Sequence, residues 1–150
     1  MTPCEYGQPA AKDAKDSRKT QRDSQNFEDD FSHPIIGAAV EVQRVLGVGL
    51  LESAYAEAFA IELRSRGLRF ERELPIAAAY KGLPVGVAYR ADFVVENSVI
   101  VELKATDGMA DVHRAQLLSY LRLSGLKLGL LINFYAFPVV KGIHRLVNKL

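Results

Sequence analysis

The chain has 150 residues, enough for one domain with a substantial core, and its 49% apolar and 25% charged residues are typical of a globular protein. Its net charge of +1 excludes a polycation that would bind nucleic acid through overall charge alone. The single cysteine, Cys4, excludes an internal disulfide, and the sequence has no cluster of cysteine and histidine for a zinc site.

The first thirty residues differ in composition from the rest of the chain. Residues 1–30 contain five Lys/Arg and seven Asp/Glu, a net charge of −2, and no Leu, Ile or Val. Such a segment has too little apolar surface to fold, so we expect a disordered polar tail before one domain at 31–150. No apolar run reaches the ~18 residues of a membrane span. The start also lacks an apolar signal core, so we expect a cytoplasmic protein without membrane contact.

Two helices are predicted at the beginning of the domain. Ser32 is the expected N-cap of the first helix, and Ile35–Leu46 repeats apolar residues at helical spacing. A second helix is predicted from about Leu50 to Arg66, with Gly67 as its C-terminal stop.

The remainder is predicted to contain strands and one further helix. The expected strands are 68–74, 76–80, 83–87, 89–95, 99–105, 126–134 and 142–147, with the helix at 110–124. The run 126–134 is nearly all apolar and follows a helix, which indicates a buried strand in parallel pairing. Such a mixed sheet needs helices on both faces, so the predicted fold class is α/β, a mixed central sheet flanked by helices.

The predicted hairpin at 89–105 brings two acidic residues together. A tight turn at residues 96–98 centres the ladder on Asn97, so Asp92 is predicted to lie directly opposite Glu102, ~5 Å away at Cβ. Alternation along the strands then gives two faces. One is predicted to carry Tyr89, Ala91, Phe93, Val95, Val99, Val101, Leu103 and Ala105, and the other Arg90, Asp92, Val94, Ile100, Glu102 and Lys104.

The facing carboxylates have two interpretations. They are either solvated residues on an open sheet face, with Lys104 as a local counter-charge, or ligands of a divalent cation, which prefers oxygen donors and removes their repulsion. The apolar Val94 and Ile100 on the same face favour the second interpretation, because they indicate that helices cover that face.

The spacing D-x9-E-x-K at Asp92, Glu102 and Lys104 resembles the active-site signature of the PD-(D/E)XK nuclease superfamily. The chain is also similar to one branch of it, the GxxExxY proteins, from about Ile35 to Val147. The matching segments are Gly49 to Tyr55 (GLLESAY), Tyr80 to Gly82 (YKG), Tyr89 to Asp92 (YRAD), Val101 to Lys104 (VELK), Gln116 to Leu121 (QLLSYL) and Gly129 to Phe134 (GLLINF). The chain departs from the family at Gln43, where the family usually carries His, and at Val48, where it usually carries Pro.

The resemblance implies a restriction-endonuclease-like core and metal-dependent cleavage of nucleic-acid phosphodiester bonds, in DNA more than in RNA. Asp92, Glu102 and the backbone carbonyl of Leu103 would hold Mg²⁺, with Mn²⁺ as the alternative ion. Lys104 would orient the attacking water or stabilise developing charge; otherwise it is a salt-bridge partner. Glu52 would reach the metal through water, or would only complement the dipole of its helix.

The remaining candidate residues are predicted to contact substrate. Gln116 and Tyr120, one helical turn apart, resemble a motif that contacts the scissile strand and positions the lysine in the exonuclease-like branch, so Gln116 is also a catalytic candidate. Arg90 and His113 are further candidates for phosphate contact, although a surface role is the alternative for His113. Tyr55 is assigned to packing or to a hydrogen bond with the site.

Two other functions remain open at this stage. A nuclease fold can bind nucleic acid or protein without cutting, and a small domain can act only as a subunit of a larger assembly or as a homodimer. The complete set of Asp92, Glu102 and Lys104 favours the enzyme, whereas Gln43 favours the binding module. The pattern by itself does not distinguish DNA from RNA, single- from double-stranded substrates, or endonucleolytic from exonucleolytic cleavage.

Overall fold

The structure, a computed structural model, describes residues 30–149. The predicted tail at 1–30 lies outside the described residues except for Asp30. The carboxylate of Asp30 accepts a hydrogen bond from the Ser32 N–H at 2.9 Å and pairs with Arg145 near the other end of the chain. Asp30 therefore belongs with the domain.

Two helices open the domain, as predicted. Helix α1 spans Ser32–Leu46 and helix α2 spans Glu52–Ser65. The predicted N-cap was wrong, because the N-cap residue is Phe31 and the Ser32 hydroxyl is buried without a hydrogen-bond partner. After α2 the chain turns at Gly67, whose φ of 73° fits the predicted glycine stop.

A five-stranded mixed sheet follows, which confirms the predicted fold class. Its strands are β1 (Phe70–Tyr80), β2 (Leu83–Val95), β3 (Val99–Lys104), β4 (Leu128–Asn133) and β5 (Ile143–Val147), in that spatial order. Helix α3 (Asp111–Ser124) connects β3 to β4, and a 3-10 helix at Val139–Gly142 precedes β5. The β3–β4 pair is parallel and the other neighbours are antiparallel, because only the α3 crossover returns the chain in the same direction.

The helices cover both faces of this sheet. Helices α1 and α2 pack on one face, against residues such as Phe93 and Val101, and α3 packs on the other, against residues such as Val94 and Ile100. Every residue of β4 is buried, as expected for a strand covered on both faces. At Gly129 a Cβ atom would lie 3.0 Å from the Leu117 side chain, so the glycine permits the close approach of α3 to β4.

Strands β1 and β2 are longer than predicted. The expected segments 68–74 and 76–80 form one strand, and so do 83–87 and 89–95, because each pair continues through the ladder between β1 and β2. The two strands extend beyond the helices as a two-stranded β-arm, which we define as residues 77–88. Eleven of these twelve residues are exposed, the exception being half-buried Ala78.

The predicted register of the central hairpin is confirmed from Val95–Val99 to Phe93–Val101, but the ladder ends before the predicted Asp92–Glu102 pair, and the predicted faces are not confirmed. Phe93 pairs with Val101 and Val95 with Val99, across a turn in which Glu96 and Asn97 both have a φ of 51°. The prediction that Tyr89 and Ala91 share the face of Phe93 was wrong, since both pack on the α3 side.

An irregularity in β1 explains this switch of faces. Glu73 has a φ of 54°, a left-handed value that a regular strand does not contain, and the ladder omits the position where Glu73 would face Asp92. The regular alternation is interrupted there. Ala91 and Phe93, on either side of Asp92, therefore pack on opposite faces of the sheet. The irregularity therefore lies at a predicted site residue.

Candidate metal site and nucleic-acid cleft

Asp92 and Glu102 lie where the β2–β3 ladder ends. The last paired residues are Phe93 and Val101, and beyond them side chains replace the backbone ladder. The Asp92 N–H donates to Glu102 Oε1 at 3.1 Å, and the Leu103 N–H donates to Asp92 Oδ2 at 2.9 Å. The two acids are adjacent as predicted, but each also accepts a hydrogen bond from the backbone of the opposite strand.

Hydrogen bonds fix the orientation of both carboxyl groups. Glu102 Oε1 accepts from the Asp92 N–H and from the Tyr89 hydroxyl, and Asp92 Oδ2 accepts from the Leu103 N–H. The two side chains also hydrogen-bond to each other, which raises the pKa of Glu102. In the absence of an ion, the two carboxyl groups are therefore close enough to share a proton.

The environment of Glu102 disfavours its negative charge. The side chain is only 8% exposed, and burial, with the nearby charge of Asp92, raises the pKa of Glu102 to about 8. The hydroxyl of Tyr89 opposes this shift by hydrogen bonding to the ionised carboxylate. None of the ion pairs formed within residues 30–149 involves Asp92 or Glu102, so no protein cation compensates their charge there.

Tyr89 is a site residue that sequence reasoning missed. Besides its bond to Glu102, its ring stacks on Tyr120 of α3 with an interplanar angle of 10°, so the two tyrosines join the acidic pair to α3. Burial first, and then the charge of Glu102, raise the pKa of Tyr89, so its hydroxyl stays protonated and acts as the donor. Regular strand alternation predicts Tyr89 on the opposite face. The irregularity at Glu73 changes that face, and no glycine or proline at this position signals it in the sequence.

On the other side of the acids, a cleft opens between α2 and the sheet. It has a volume of about 360 Å³ and includes Glu52, Glu73, Asp92 and Leu103 in its lining. Loss of hydration raises the pKa of Glu52, the charge of Lys104 lowers it, and the charge of Asp92 raises it. Glu52 and Lys104 therefore lie within electrostatic range of each other, and Glu52 within range of Asp92.

Lys104 occupies the last position of β3 and is half-buried. It forms no ion pair within 4.0 Å with a carboxylate of residues 30–149, so the alternative of a salt-bridge partner is not observed there. Its backbone carbonyl accepts the Phe134 N–H at 2.8 Å, which fixes the strand beneath the side chain.

The candidate substrate contacts occupy different environments. Gln116 and Arg90 are exposed, and Tyr120 is half-buried against Tyr89. His113 is half-buried on the first turn of α3, and its Nδ1 is buried without a hydrogen-bond partner. Of these four residues, only Tyr120 is seen to contact Tyr89, whose hydroxyl bonds to Glu102.

Tyr55 is buried and cannot contact a substrate from its present position. Its hydroxyl donates to the Gly47 carbonyl at 2.7 Å and accepts from the Leu50 N–H at 3.3 Å, and its ring stacks on Phe134 at 4.6 Å. It therefore closes the loop between α1 and α2. This corrects its grouping with the substrate contacts.

Gln43 also has a structural role. Its amide donates to the carbonyls of Phe134 and Ala136 and accepts the Val139 N–H at 2.7 Å, so it anchors the loop after β4 to α1. Gln43 is 6% exposed, and these three bonds engage both ends of its amide. The departure from the histidine usual in the GxxExxY proteins thus falls at a scaffold position of this chain.

The acidic pair fits a hard divalent cation. Two adjacent, oriented carboxyl groups that form no ion pair within residues 30–149 offer oxygen ligands that Mg²⁺ or Mn²⁺ accepts, and Mg²⁺ keeps several waters when the protein provides few ligands. Within residues 30–149, no three Asp, Glu, His or Cys side chains converge as a ready-made metal site. The fit therefore rests on Asp92 and Glu102, with Glu52 too far away to complete a three-residue cluster.

Helices of membrane-spanning length and apolarity do not occur among residues 30–149. The chain matches none of the curated proteins and none of the solved structures with which it was compared. A sequence model of the PD-(D/E)XK nuclease superfamily, by contrast, matches residues 29–146. This range includes all three α-helices and the whole sheet apart from the last residue of β5. With an α/β fold that agrees and adjacent acids at the expected positions, the chain belongs to the PD-(D/E)XK nuclease superfamily.

Proposed function

We propose that this protein is a nuclease that depends on Mg²⁺, or on Mn²⁺, and hydrolyses phosphodiester bonds in nucleic acid, with DNA as its substrate ahead of RNA. We further place it with the GxxExxY proteins and in the cytoplasm. Membership of the nuclease superfamily supports the reaction class. The observation that carries the proposal is the acidic pair, in which Asp92 and Glu102 are adjacent and each accept a hydrogen bond from the backbone of the opposite strand.

The acids would hold the ion, and their hydrogen bonds explain how they do so. Tyr89 and the Asp92 N–H hold one oxygen of Glu102, and the Leu103 N–H holds one oxygen of Asp92, so both carboxyl groups are oriented before an ion binds. The carbonyl of Leu103 is the proposed third ligand. When bound, the metal would neutralise charge on the scissile phosphate and lower the pKa of a coordinated water.

Lys104 and Glu52 would act beside the acids. Lys104 has no carboxylate within 4.0 Å among the described residues, so its ammonium group is available for the attacking water or for charge that develops on the phosphate. Glu52 lies at the cleft, close enough for its pKa to respond to Asp92 and Lys104, and would bind a water of the metal.

The charge distribution supports a nucleic-acid partner on the α3 side. Residues 105–149 contain six Lys/Arg and two Asp/Glu, a net charge of +4, whereas residues 31–104 contain eight and nine, a net charge of −1. Helix α3 lies in the basic part and carries Gln116 and Tyr120. The positive net charge of this part of the chain suits a polyanionic backbone, so we propose that Gln116, Tyr120 and His113 of α3, together with Arg90 of β2, contact the substrate.

The proposal is tested by incubating the full chain with end-labelled single- and double-stranded DNA and RNA, each with Mg²⁺, Mn²⁺ or EDTA. We expect cleavage of at least one DNA substrate with metal and none with EDTA. Glu102→Gln should abolish cleavage because it removes a metal ligand. Glu71→Gln is the matched control, since it makes the same chemical change at an exposed position of β1 and should leave cleavage unchanged.

Two results would overturn the proposal. One is a folded wild-type protein that cuts none of the four substrates with either metal. The other is cleavage that survives Glu102→Gln, which would indicate a contaminating nuclease. If the first result came with metal-independent binding of nucleic acid, the chain would be a binding module on a nuclease fold.

A further inference from the structure

The β-arm exposes several large apolar side chains. Four of them are more than half exposed: Tyr80 by 65%, Leu83 by 69%, Val85 by 60% and Val87 by 54%. No helix among residues 30–149 covers them, and none of the proposed catalytic residues lies within 77–88. Contiguous exposed apolar residues of this kind mark interaction surfaces in soluble proteins.

The two free edges of the arm differ in how they are protected. Strand β2 pairs with β3 only from Phe93 onward, so its outer edge is free in the arm, where Pro84 and a Gly86 φ of 88° interrupt it. Val85 and Ala88 are also left out of the ladder. Proline and bulges are devices that prevent strand addition at a sheet edge.

The outer edge of β1 has no such protection. From Ile76 to Tyr80 every residue of β1 pairs with β2, and the two register shifts in this segment leave the extra residues on β2. The segment contains no proline, glycine or charge. Since β1 is the edge strand of the sheet, its outward N–H and C=O groups have no strand partner among residues 30–149. An unprotected, uncharged and apolar edge is a template for adding another strand.

Charge favours a second copy of this chain as that strand. The arm carries one charged residue, Lys81 at its tip, and no acid, so two arms in antiparallel pairing would place their lysines at opposite ends. A surface that binds the polyanionic backbone of nucleic acid is expected to carry several basic residues, whereas the arm carries one. The segment is also self-complementary, since pairing about Ala78 opposes Ile76 with Tyr80, a β-branched residue with an aromatic one.

We propose that two copies of this protein associate through the outer edges of β1, antiparallel and two-fold symmetric about Ala78, so that Ala77 of one copy faces Ala79 of the other. The apolar side chains of the arm would pack across the same junction. Twelve arm residues per copy are fewer than the ~20–30 of a standard interface. The dimer is therefore weak and depends on protein concentration.

The test is sedimentation velocity of the full chain without metal or nucleic acid, from micromolar to submillimolar concentration. Wild type should shift from monomer toward dimer. The double variant Ala77→Glu with Ala79→Glu places like charges opposite each other and should weaken association about tenfold or more. Its matched partner, Ala77→Glu with Ala79→Lys, places opposite charges face to face and should still dimerise. Both positions are exposed, so thermal melts should show that both variants remain folded.

A wild type that stays monomeric throughout would overturn the proposal, and so would equal association by the two double variants. Hydrogen exchange adds an independent readout, because the amides of residues 76–80 should exchange more slowly as the protein concentration rises. If they slowed only on addition of duplex DNA, nucleic acid would be the occupant and the proposal would be wrong. None of these measurements requires nuclease activity, so their failure would leave the proposed function untouched.

Discussion

Binding of divalent metal should depend strongly on pH between 6 and 8. In the metal-free protein the pKa of Glu102 is about 8, raised above its ordinary value of 4.5 first by burial and then by the charge of Asp92. A metal ion binds the ionised carboxylate, so binding must release the proton that Glu102 carries below its pKa. Apparent affinity therefore falls as the pH falls below 8.

The size of the effect follows from the fraction of ionised Glu102. With a pKa of about 8, roughly 1% of Glu102 is ionised at pH 6 and about half at pH 8, so the affinity should rise about fiftyfold. The stability of the metal-free protein should fall as the pH rises, whereas metal affinity rises. The folded metal-free protein binds more protons than the unfolded chain between about pH 4.5 and pH 8. Its free energy of unfolding should therefore decrease as the pH rises through that window, on the order of a few kcal/mol.

Isothermal titration with Mn²⁺ at pH 6, 7 and 8, in buffers of different ionisation enthalpy, measures both the affinity and the proton release. Tyr89→Phe should move the pH midpoint upward, because the Tyr89 hydroxyl stabilises ionised Glu102. Tyr135→Phe, at an exposed position, is the matched control and should leave the midpoint in place. An affinity that is constant from pH 6 to 8, without proton release, would refute the assignment of a protonated Glu102.

Three further results are expected. Asp92→Asn should remove metal binding but keep or raise the metal-free melting temperature above pH 8, where Glu102 is ionised, because it keeps an oxygen acceptor for the Leu103 N–H and removes a repelling charge; a drop of many degrees would show that the charge itself is structural. Lys104→Met should lower the rate of cleavage by ~10²–10³-fold with Mn²⁺ affinity retained, and an unchanged rate would exclude Lys104 from catalysis. Tyr55→Phe should cost about 1–3 kcal/mol in denaturant titrations, because it removes the hydroxyl that bonds Gly47, while cleavage persists; lost cleavage at unchanged stability would return Tyr55 to the substrate site.

The sequence alone determined the elements, the sheet class and the central register. Helical spacing located α1, α2 and α3, and the apolar run before Phe134 identified β4 as a parallel strand buried on both faces. The register of Phe93 with Val101 followed from the turn at Asn97, because a short hairpin loop fixes the pairing of its strands. These features depend on local periodicity and turn chemistry, both of which are visible in a single chain. The pattern of Asp92, Glu102 and Lys104 was visible for the same reason.

Only the tertiary structure decided how these residues are held. The left-handed conformation of Glu73 is not encoded by a glycine or a proline, so alternation placed Tyr89 on the wrong face and missed its bond to Glu102. The buried roles of Tyr55 and Gln43 were equally hidden, since their partners are backbone atoms of loops whose course depends on the packed helices. Periodicity predicts the face of a residue only where a strand is regular, and this sheet is irregular at the position where its acidic pair lies.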